Sequence, residues 1–201
     1  MAYLIFNING LPTYPGARSS HISNLLAQKA KNLGFTLVEL MITLVVLAIM
    51  LTIAIPSFRT FISNNRLNTS ADSLVNALNY TRSIALTNNG NVRICPFNAA
   101  NSTACGNDWS TGWIVVTQPA VGAEVLLKSQ ENATAGPTIT ANNNTITFDS
   151  RGLASSSTNF SFCDNRGGNF ARSVQVMTTG YIQSGDRPGQ AVWNNNAINC
   201  P

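Results

Sequence analysis

The chain has 201 residues, of which only 10% are charged, against about 25% in an ordinary soluble domain. Its formal charge is +4, but three positive residues, Arg18, Lys29 and Lys31, precede a long apolar run with no acid among them, so the remainder carries +1. This nearly neutral remainder, rich in Asn, Ser and Thr, lacks the basic footprint expected of a typical nucleic-acid-binding protein.

The first predicted element is the apolar run from Phe35 to Ile55. A run of about 20 residues is long enough to cross a membrane as a helix, whereas a secretory signal has an apolar core of about 7–15 residues. Because Lys29 and Lys31 lie just before the run, we expect the N-terminus in the cytoplasm and the larger C-terminal part outside.

Glu39 is the one strongly polar side chain of this run. A carboxylate inside a membrane is costly and usually functional, with a partner of opposite charge. No Lys or Arg lies within the run, so its partner must come from elsewhere. An α-amino group at Phe35, created by cutting the chain after Gly34, would provide one on a neighbouring copy or subunit.

Beyond the run, residues 57–88 keep a helical period, with apolar residues recurring at steps of three and four. We predict that one helix continues from the membrane into a folded domain and ends at the Asn88-Asn89-Gly90 sequence. Gly90 is the expected residue after the helix C-cap.

After Gly90 the period changes to that of short strands separated by Gly, Pro, Asn and Ser. Six segments have this pattern: NVRICPF, GWIVVTQ, EVLLKSQ, TITF, NFSFC and RSVQVMTTGYI. A long helix followed by several strands predicts an α+β fold, in which the helix packs on an antiparallel β-sheet.

All four cysteines follow the apolar run, at positions 95, 105, 163 and 200. An even number on the outer side of a membrane predicts disulfides in an oxidising compartment. A metal site is disfavoured, because the chain has no CxxC pair and its one histidine, His21, precedes the run. The sequence also lacks paired-carboxylate, GxSxG, P-loop and Cys–His signatures, so we expect no enzyme activity and no cofactor.

The sequence KNLGFTLVEL, followed by Pro56, resembles the class III signal of type IV pilins and pseudopilins. The resemblance implies that prepilin peptidase cuts after Gly34 and that Phe35 becomes the N-methylated first residue. It assigns Glu39 to subunit assembly and Pro56 to the kink of the stem helix. The leader, residues 1–34, is longer than is usual in pilins, which indicates either an extension or a start codon placed too far upstream.

The strand region resembles the GspH/FimT/FimU group of minor pilins and pseudopilins, through ICPFN, DWSTGWIVV, ITFDSRGLAS and CDNRGGNFARSVQV. This resemblance implies a membrane stem over 35–56, an amphipathic continuation over 57–90 and a periplasmic or extracellular β-rich head over 91–201. Three disulfide connectivities are possible, and the sequence does not choose among them. Our preferred pairs are Cys95–Cys105 and Cys163–Cys200.

The function implied by this resemblance is that of a type IV pilus minor pilin. It would be anchored in the bacterial inner membrane, cut by prepilin peptidase, packed against minor and major pilins through its stem, and carried to the cell surface near the fibre tip. The first alternative is a minor pseudopilin of a type II secretion system. A major pilin is disfavoured because the strand pattern resembles the minor group.

The second alternative is a minor pilin that binds DNA for natural transformation. Some members of the group use a GRxR-type motif, but only Gly180 of the corresponding GYIQ sequence matches it here. The remaining candidates for DNA contact are Arg166, Arg172, Arg187 and Tyr181, which could bind phosphates or stack on a base. Because Asp164 and Asp186 offset these arginines, we expect weak DNA binding at best.

Overall fold

The structure is a computed structural model that describes residues 34–119, 121–134 and 136–201. By its internal contacts the chain divides into two compact units, one ending at Ala48 and the other running from Ile49 to Pro201. Among the described residues one α-helix, α1, extends from Leu37 to Thr87 and includes Pro56. The predicted leader, apart from Gly34, and His21 lie outside the described residues.

The helix ends one residue earlier than the glycine signal predicted. Asn89 has the positive φ of +49° that closes the helix, and the Gly90 N–H donates to the carbonyl oxygen of Ala85 at 3.1 Å. This six-residue closure places Asn89, rather than Gly90, immediately after the cap. Asparagine tolerates the left-handed conformation better than most residues, so the change of direction does not need glycine.

In the part of the chain that the structure describes, eight strands follow in two antiparallel sheets of four. The first sheet contains β1 (Asn91–Pro96), β2 (Gly112–Gln118), β3 (Leu126–Glu131) and β5 (Ile146–Phe148), in the order β3-β2-β1-β5. Its central pair places Asn91 opposite Gln118 and Pro96 opposite Trp113.

The second sheet contains β4 (Thr138–Ala141), β6 (Thr158–Cys163), β7 (Arg172–Val176) and β8 (Ile182–Ser184), in the order β4-β6-β7-β8. Two features differ from the sequence prediction. Strand β4 was not predicted, and the segment RSVQVMTTGYI is a hairpin of two strands rather than one strand. Short 3-10 helices cover Trp109–Thr111 and Gly168–Phe170.

The core lies between α1 and both sheets. Helix residues recur on one face at the predicted spacing and are buried: Leu67, Ala71, Leu74, Ala77, Leu78, Thr81 and Ala85. They form one cluster with side chains of both sheets, including Trp113, Phe148 and Phe160. The predicted fold class, a long helix packed on antiparallel β-structure, is therefore confirmed. We call the two sheets and the helix segment packed on them the head.

Candidate assembly and interaction surfaces

The helix begins immediately after the predicted cleavage site. Gly34, Phe35 and Thr36 have no helical structure, and α1 starts at Leu37. The Thr36 hydroxyl accepts a hydrogen bond from the Glu39 N–H at 3.2 Å, and its carbonyl oxygen accepts one from the Leu40 N–H at 3.1 Å. Thr36 is thus the N-cap of the helix, and its T-x-x-E spacing to Glu39 is that of a capping box.

Every residue of the stem segment, which we define as residues 35–62, is exposed. No residue within 34–119, 121–134 or 136–201 covers its apolar side chains, and Glu39 is exposed among them. The helix has the length and hydropathy of a membrane span. It continues through Pro56, and the Thr60 hydroxyl donates to the Pro56 carbonyl oxygen at 3.2 Å. The roles predicted for Gly34, Phe35, Glu39 and Pro56 remain predictions.

The two preferred disulfides are confirmed: Cys95 is bonded to Cys105, and Cys163 to Cys200. The first closes a loop of the chain directly after β1. The second ties the C-terminal segment to the end of β6, across 37 positions of sequence. Both bridges therefore fasten long irregular segments to strands.

Arg166 does not present its guanidinium to solvent as the DNA-contact hypothesis required. Its Nε and Nη2 donate to the Asp164 carboxylate at 2.9 and 2.7 Å, and its Nη1 donates to the side-chain oxygen of Asn64 at 2.8 Å. The guanidinium also lies 4.4 Å from the ring centre of Phe170. Only 19% of the side chain is exposed. Arg166 thereby links the β6–β7 connection to the helix.

The other candidates for DNA contact do not form one cluster. The Met177 N–H donates to the Tyr181 carbonyl oxygen, so Tyr181 lies at the end of the β7–β8 hairpin. Arg172 starts β7, five residues from Met177, or about 17 Å along a strand. It is half-buried, with its Nε fully buried, whereas Arg187 is exposed beyond the other end of β8. A base stacked on Tyr181 would therefore be far from Arg172.

Gly180, the residue that matches the DNA-binding motif, has a structural role. It adopts a φ of +76°, and a Cβ atom there would overlap the carbonyl oxygen of Gly152. Gly152 has a φ of +75° and accepts a hydrogen bond from the Nε of Arg82 at 3.1 Å. The two glycines bring the β7–β8 turn and the β5–β6 connection into backbone contact, which a side chain would prevent.

Two further charged residues, which the sequence did not indicate, hold loops in place. Arg93, on β1, donates from Nη2 to the Thr103 carbonyl oxygen at 2.9 Å and to the Glu124 carboxylate at 2.6 Å. It thus joins the loop of the Cys95–Cys105 disulfide to the β2–β3 loop, beside a small buried cluster that includes Ile114.

The second of these charged residues is Asp149, which lies in the turn that follows β5. The Asp149 carboxylate accepts hydrogen bonds from the backbone N–H groups of Arg151 and Leu153, both at 2.9 Å, and pairs with the Arg151 guanidinium. The Arg151 side chain and these N–H groups stabilise the charged carboxylate, which lowers the pKa of Asp149 below its ordinary value.

Comparison with known proteins gives two family matches. The model of the family described as type II transport protein GspH matches residues 70–180. The prokaryotic N-terminal methylation motif matches residues 29–55, which include the predicted cleavage site. This motif implies processing by prepilin peptidase and assembly with other pilins. No curated protein gives a significant match.

Two solved structures share the fold. Both are crystal forms of the type IV minor pilin FimU of Pseudomonas aeruginosa. The first has a TM-score of 0.53 at 21% identity and covers 65% of this chain and 98% of its own. The second has a TM-score of 0.50 at 20% identity and covers 62% and 98%. At these identities the likeness shows the fold.

The methylation motif and the exposed apolar helix together confirm the predicted anchoring in the inner membrane. The GspH model covers more than half of the chain, and its match spans the helix segment packed on the sheets and most of the strands. The chain therefore belongs to the GspH family of pilin-like proteins.

Proposed function

We propose that this protein is a minor pilin of a type IV pilus. In this proposal residues 1–34 are a leader removed by prepilin peptidase, and Phe35 becomes the methylated N-terminus. Residues 35–56 hold the chain in the inner membrane, residues 57–90 continue the helix, and residues 91–201 fold outside. The assembled protein joins a complex that primes the fibre near its tip, and its part is structural rather than catalytic.

The observation that carries the proposal is the uncovered apolar surface beyond the membrane span. Residues 37–55 of α1 extend over about 27 Å, close to the thickness of a bilayer core. Phe58, Phe61 and Ile62 lie on the following turns and are also exposed. An ordinary anchor would need no apolar side chains there, whereas a helix that packs against other subunits in a fibre would bury them.

Glu39 fits the same assembly. It is the only acid in the span, and the helix cap holds its backbone close to the first mature residue. The amine of a neighbouring subunit's first residue would neutralise it inside the fibre, where an unpaired carboxylate would be costly.

One observation favours a pilus over the secretion pseudopilus: the fold of the head is like that of a type IV minor pilin. The two disulfides suit either location, because the periplasm and the cell surface are both oxidising. The description of the matching family, type II transport protein, supports the pseudopilin as the second candidate. DNA binding is the least supported function, because Arg166 is paired and Tyr181 lies far from Arg172.

The deciding experiment is mass spectrometry of surface fibres sheared from cells, compared with the inner-membrane fraction. We expect a chain that begins with N-methylated Phe35 in the sheared fibres. Confinement of the protein to the envelope, in cells whose pili form normally without it, would instead assign it to a secretion pseudopilus. Steeply salt-dependent binding of the head to duplex DNA would revive the third candidate.

A further inference from the structure

Six short sequences of the chain have the pattern Asn-x-Ser/Thr, without proline at the middle position, that accepts N-linked sugars. All six lie in residues that the structure describes. They begin at Asn68, Asn79, Asn101, Asn132, Asn143 and Asn159. A sugar is bulky, so such an acceptor sequence must expose an asparagine whose side-chain nitrogen is not already bonded. The six can therefore be compared by the surroundings of their side-chain amides.

Two of the six lie within α1, where the backbone conformation is unsuitable. Side chains two positions apart on a helix do not face each other, so Asn68 and Asn79 cannot contact the third residue of their own acceptor sequence. For Asn79 that residue is Thr81, which is buried and donates its hydroxyl to the Ala77 carbonyl oxygen at 2.7 Å. Neither asparagine is therefore a suitable acceptor while the helix is intact.

Three more have half-buried side chains that are already bonded. The Nδ2 of Asn132 donates to a backbone carbonyl oxygen at 3.2 Å. The Nδ2 of Asn143 donates to a backbone carbonyl oxygen at 2.9 Å and to the Thr158 hydroxyl at 3.1 Å. Asn159 lies within β6, and its side-chain oxygen accepts a hydrogen bond from the Nε2 of Gln175 at 3.0 Å. A sugar at any of these positions would require existing hydrogen bonds to break.

Asn101 differs from the other five. It is exposed in the loop that the Cys95–Cys105 disulfide closes. Its side-chain oxygen accepts two hydrogen bonds from Thr103, one from the backbone N–H at 3.1 Å and one from the hydroxyl at 3.2 Å. Its Nδ2 donates to none of the described residues. The first and third residues of this acceptor sequence are thus in contact, and the amide nitrogen remains unbonded.

This arrangement suits the chemistry of N-linked transfer. The Nδ2 of the asparagine bonds to the anomeric carbon of a glycosyl diphosphate, and the bond from that carbon to the diphosphate oxygen breaks. The diphosphate leaves with the electron pair, and one Nδ2 proton passes to a base of the transferase. An amide nitrogen is a weak nucleophile, because its lone pair is delocalised onto the oxygen. The two donors of Thr103 stabilise the negative charge that gathers on the Asn101 oxygen as the proton leaves.

The loop holds this arrangement in the protein alone. The Thr103 carbonyl oxygen accepts a hydrogen bond from the Nη2 of Arg93 at 2.9 Å, and Arg93 also pairs with Glu124. Beside the disulfide, the Gly106 N–H donates to the Pro96 carbonyl oxygen at 2.8 Å. Because the backbone of Thr103 is fixed in this way, its hydroxyl is positioned before a transferase binds.

We propose that Asn101 is an N-glycosylation site, modified by transfer of a sugar from a glycosyl diphosphate. Thr103 is the positioning residue, because it acts through the side-chain oxygen of Asn101. A sugar here adds a hydrated group to a chain in which only 10% of the residues are charged. The inference does not depend on whether the chain serves a pilus or a secretion pseudopilus.

The test is mass spectrometry of tryptic fragments of the full-length chain, purified from its own cells and reduced. Trypsin cuts after Lys and Arg, so the fragment 94–128 contains Asn101 as its one acceptor asparagine. The next fragment, 129–151, contains Asn132 and Asn143 and is an internal control. We expect the mass of a sugar on 94–128 and none on 129–151. The added mass should survive mild alkali, which releases sugars from serine and threonine but not from an amide.

Variants then separate the acceptor from its positioning residue. Asn101→Gln should abolish the modification, and Thr103→Ala should lower the modified fraction about tenfold, as loss of one hydrogen bond predicts. Thr103→Ser keeps a hydroxyl and should restore the modification. The matched control is Asn107→Gln, which changes an exposed asparagine that begins no acceptor sequence and should leave the modification unchanged.

Four results would overturn the inference. The fragment 94–128 carries no sugar although both disulfides are intact, the sugar is released by alkali, it persists in Asn101→Gln, or it lies on 129–151 instead. A sugar on Asn101 supports the inference even if the chain is absent from fibres, so this outcome is separate from that of the proposed function.

The same experiment identifies the source of the sugar. Free thiols are alkylated at the moment of lysis, before the fragments are prepared. A sugar found only on disulfide-bonded chains indicates a lipid-linked donor outside the cytoplasm, where the cysteines are oxidised. A sugar found also on alkylated chains indicates a nucleotide-linked donor in the cytoplasm.

Discussion

Gly180→Ala should destabilise the head more than the equivalent change at Gly152, although the two glycines have almost the same φ, +76° and +75°. The left-handed conformation costs a residue with a Cβ atom about 1–2 kcal/mol, and this cost is common to both positions. Alanine also restricts the unfolded chain similarly at both, so that contribution cancels. The difference depends on what each added methyl group would meet.

At Gly152 the nearest atoms are the ends of two side chains, with Arg82 Nε at 3.0 Å and Leu86 Cδ2 at 3.2 Å, and these can move. At Gly180 the methyl group would overlap the backbone carbonyl oxygen of Gly152, so two connections must separate. Such overpacking costs about 1–3 kcal/mol more. We therefore expect a loss of about 2–5 kcal/mol in Gly180→Ala and about 1–2 kcal/mol in Gly152→Ala.

The assay is thermal unfolding of a soluble head fragment, with the disulfides intact, followed by circular dichroism. At about 3 °C per kcal/mol for a domain of this size, Tm should fall by about 6–15 °C in Gly180→Ala and by about 3–6 °C in Gly152→Ala. Equal shifts in the two variants would refute the inference that backbone contact, rather than conformation alone, requires glycine at position 180.

Three other changes test the assembly and the head. Glu39→Ala should leave leader cleavage intact but block entry into fibres, because the N-terminal amine of a neighbouring subunit loses its charged partner. Immunoblotting of membrane and fibre fractions would show a cleaved chain in the membrane only, and normal incorporation into fibres would contradict the prediction. Arg166→Ala should cost the head about 2 kcal/mol, since it leaves a largely buried carboxylate unpaired, whereas exposed Arg187→Ala should change stability by less than about 0.5 kcal/mol in chemical denaturation. Replacing Cys163 and Cys200 with serine should lower the free energy of unfolding by about 4 kcal/mol, against about 3 kcal/mol for the same change at Cys95 and Cys105. The reason is that the first change releases a loop of 37 rather than 10 positions, which increases the entropy of the unfolded chain more. Similar losses in the two variants would argue against this explanation from chain entropy.

The helix and most strands could be predicted because their periods are regular. Strand β4 could not, since it has four residues and only Ile139 among them is buried. The division of the last predicted strand into β7 and β8 depends on the turn at Gly180, and this glycine has its conformation because it packs against Gly152. Strand β4 produces no signal within its own stretch of sequence, whereas Gly180 is a turn residue inside the predicted segment that we did not treat as a break between strands.

The same limit applies to the interaction surfaces. The cleavage and methylation motif is contiguous, so the sequence indicated it directly. The environment of Arg166 depends on Asn64, which lies 102 positions away and is not marked by any local pattern. The exposed apolar side chains of the head lie mostly in connections that are far apart in the chain, and each connection contributes only one or two of them.

The cap at Thr36 has a consequence for maturation. A cut between Gly34 and Phe35 removes no residue of α1. It also leaves the two groups that accept the first hydrogen bonds of the helix, because these are the hydroxyl and carbonyl oxygens of Thr36. Precursor and mature protein can therefore share one membrane helix, with the same register and the same hydrogen-bond ladder. Removing the leader would then change the charge at the start of the helix without refolding the helix. The peptidase would therefore alter the electrostatics of the helix terminus and leave its structure as it was.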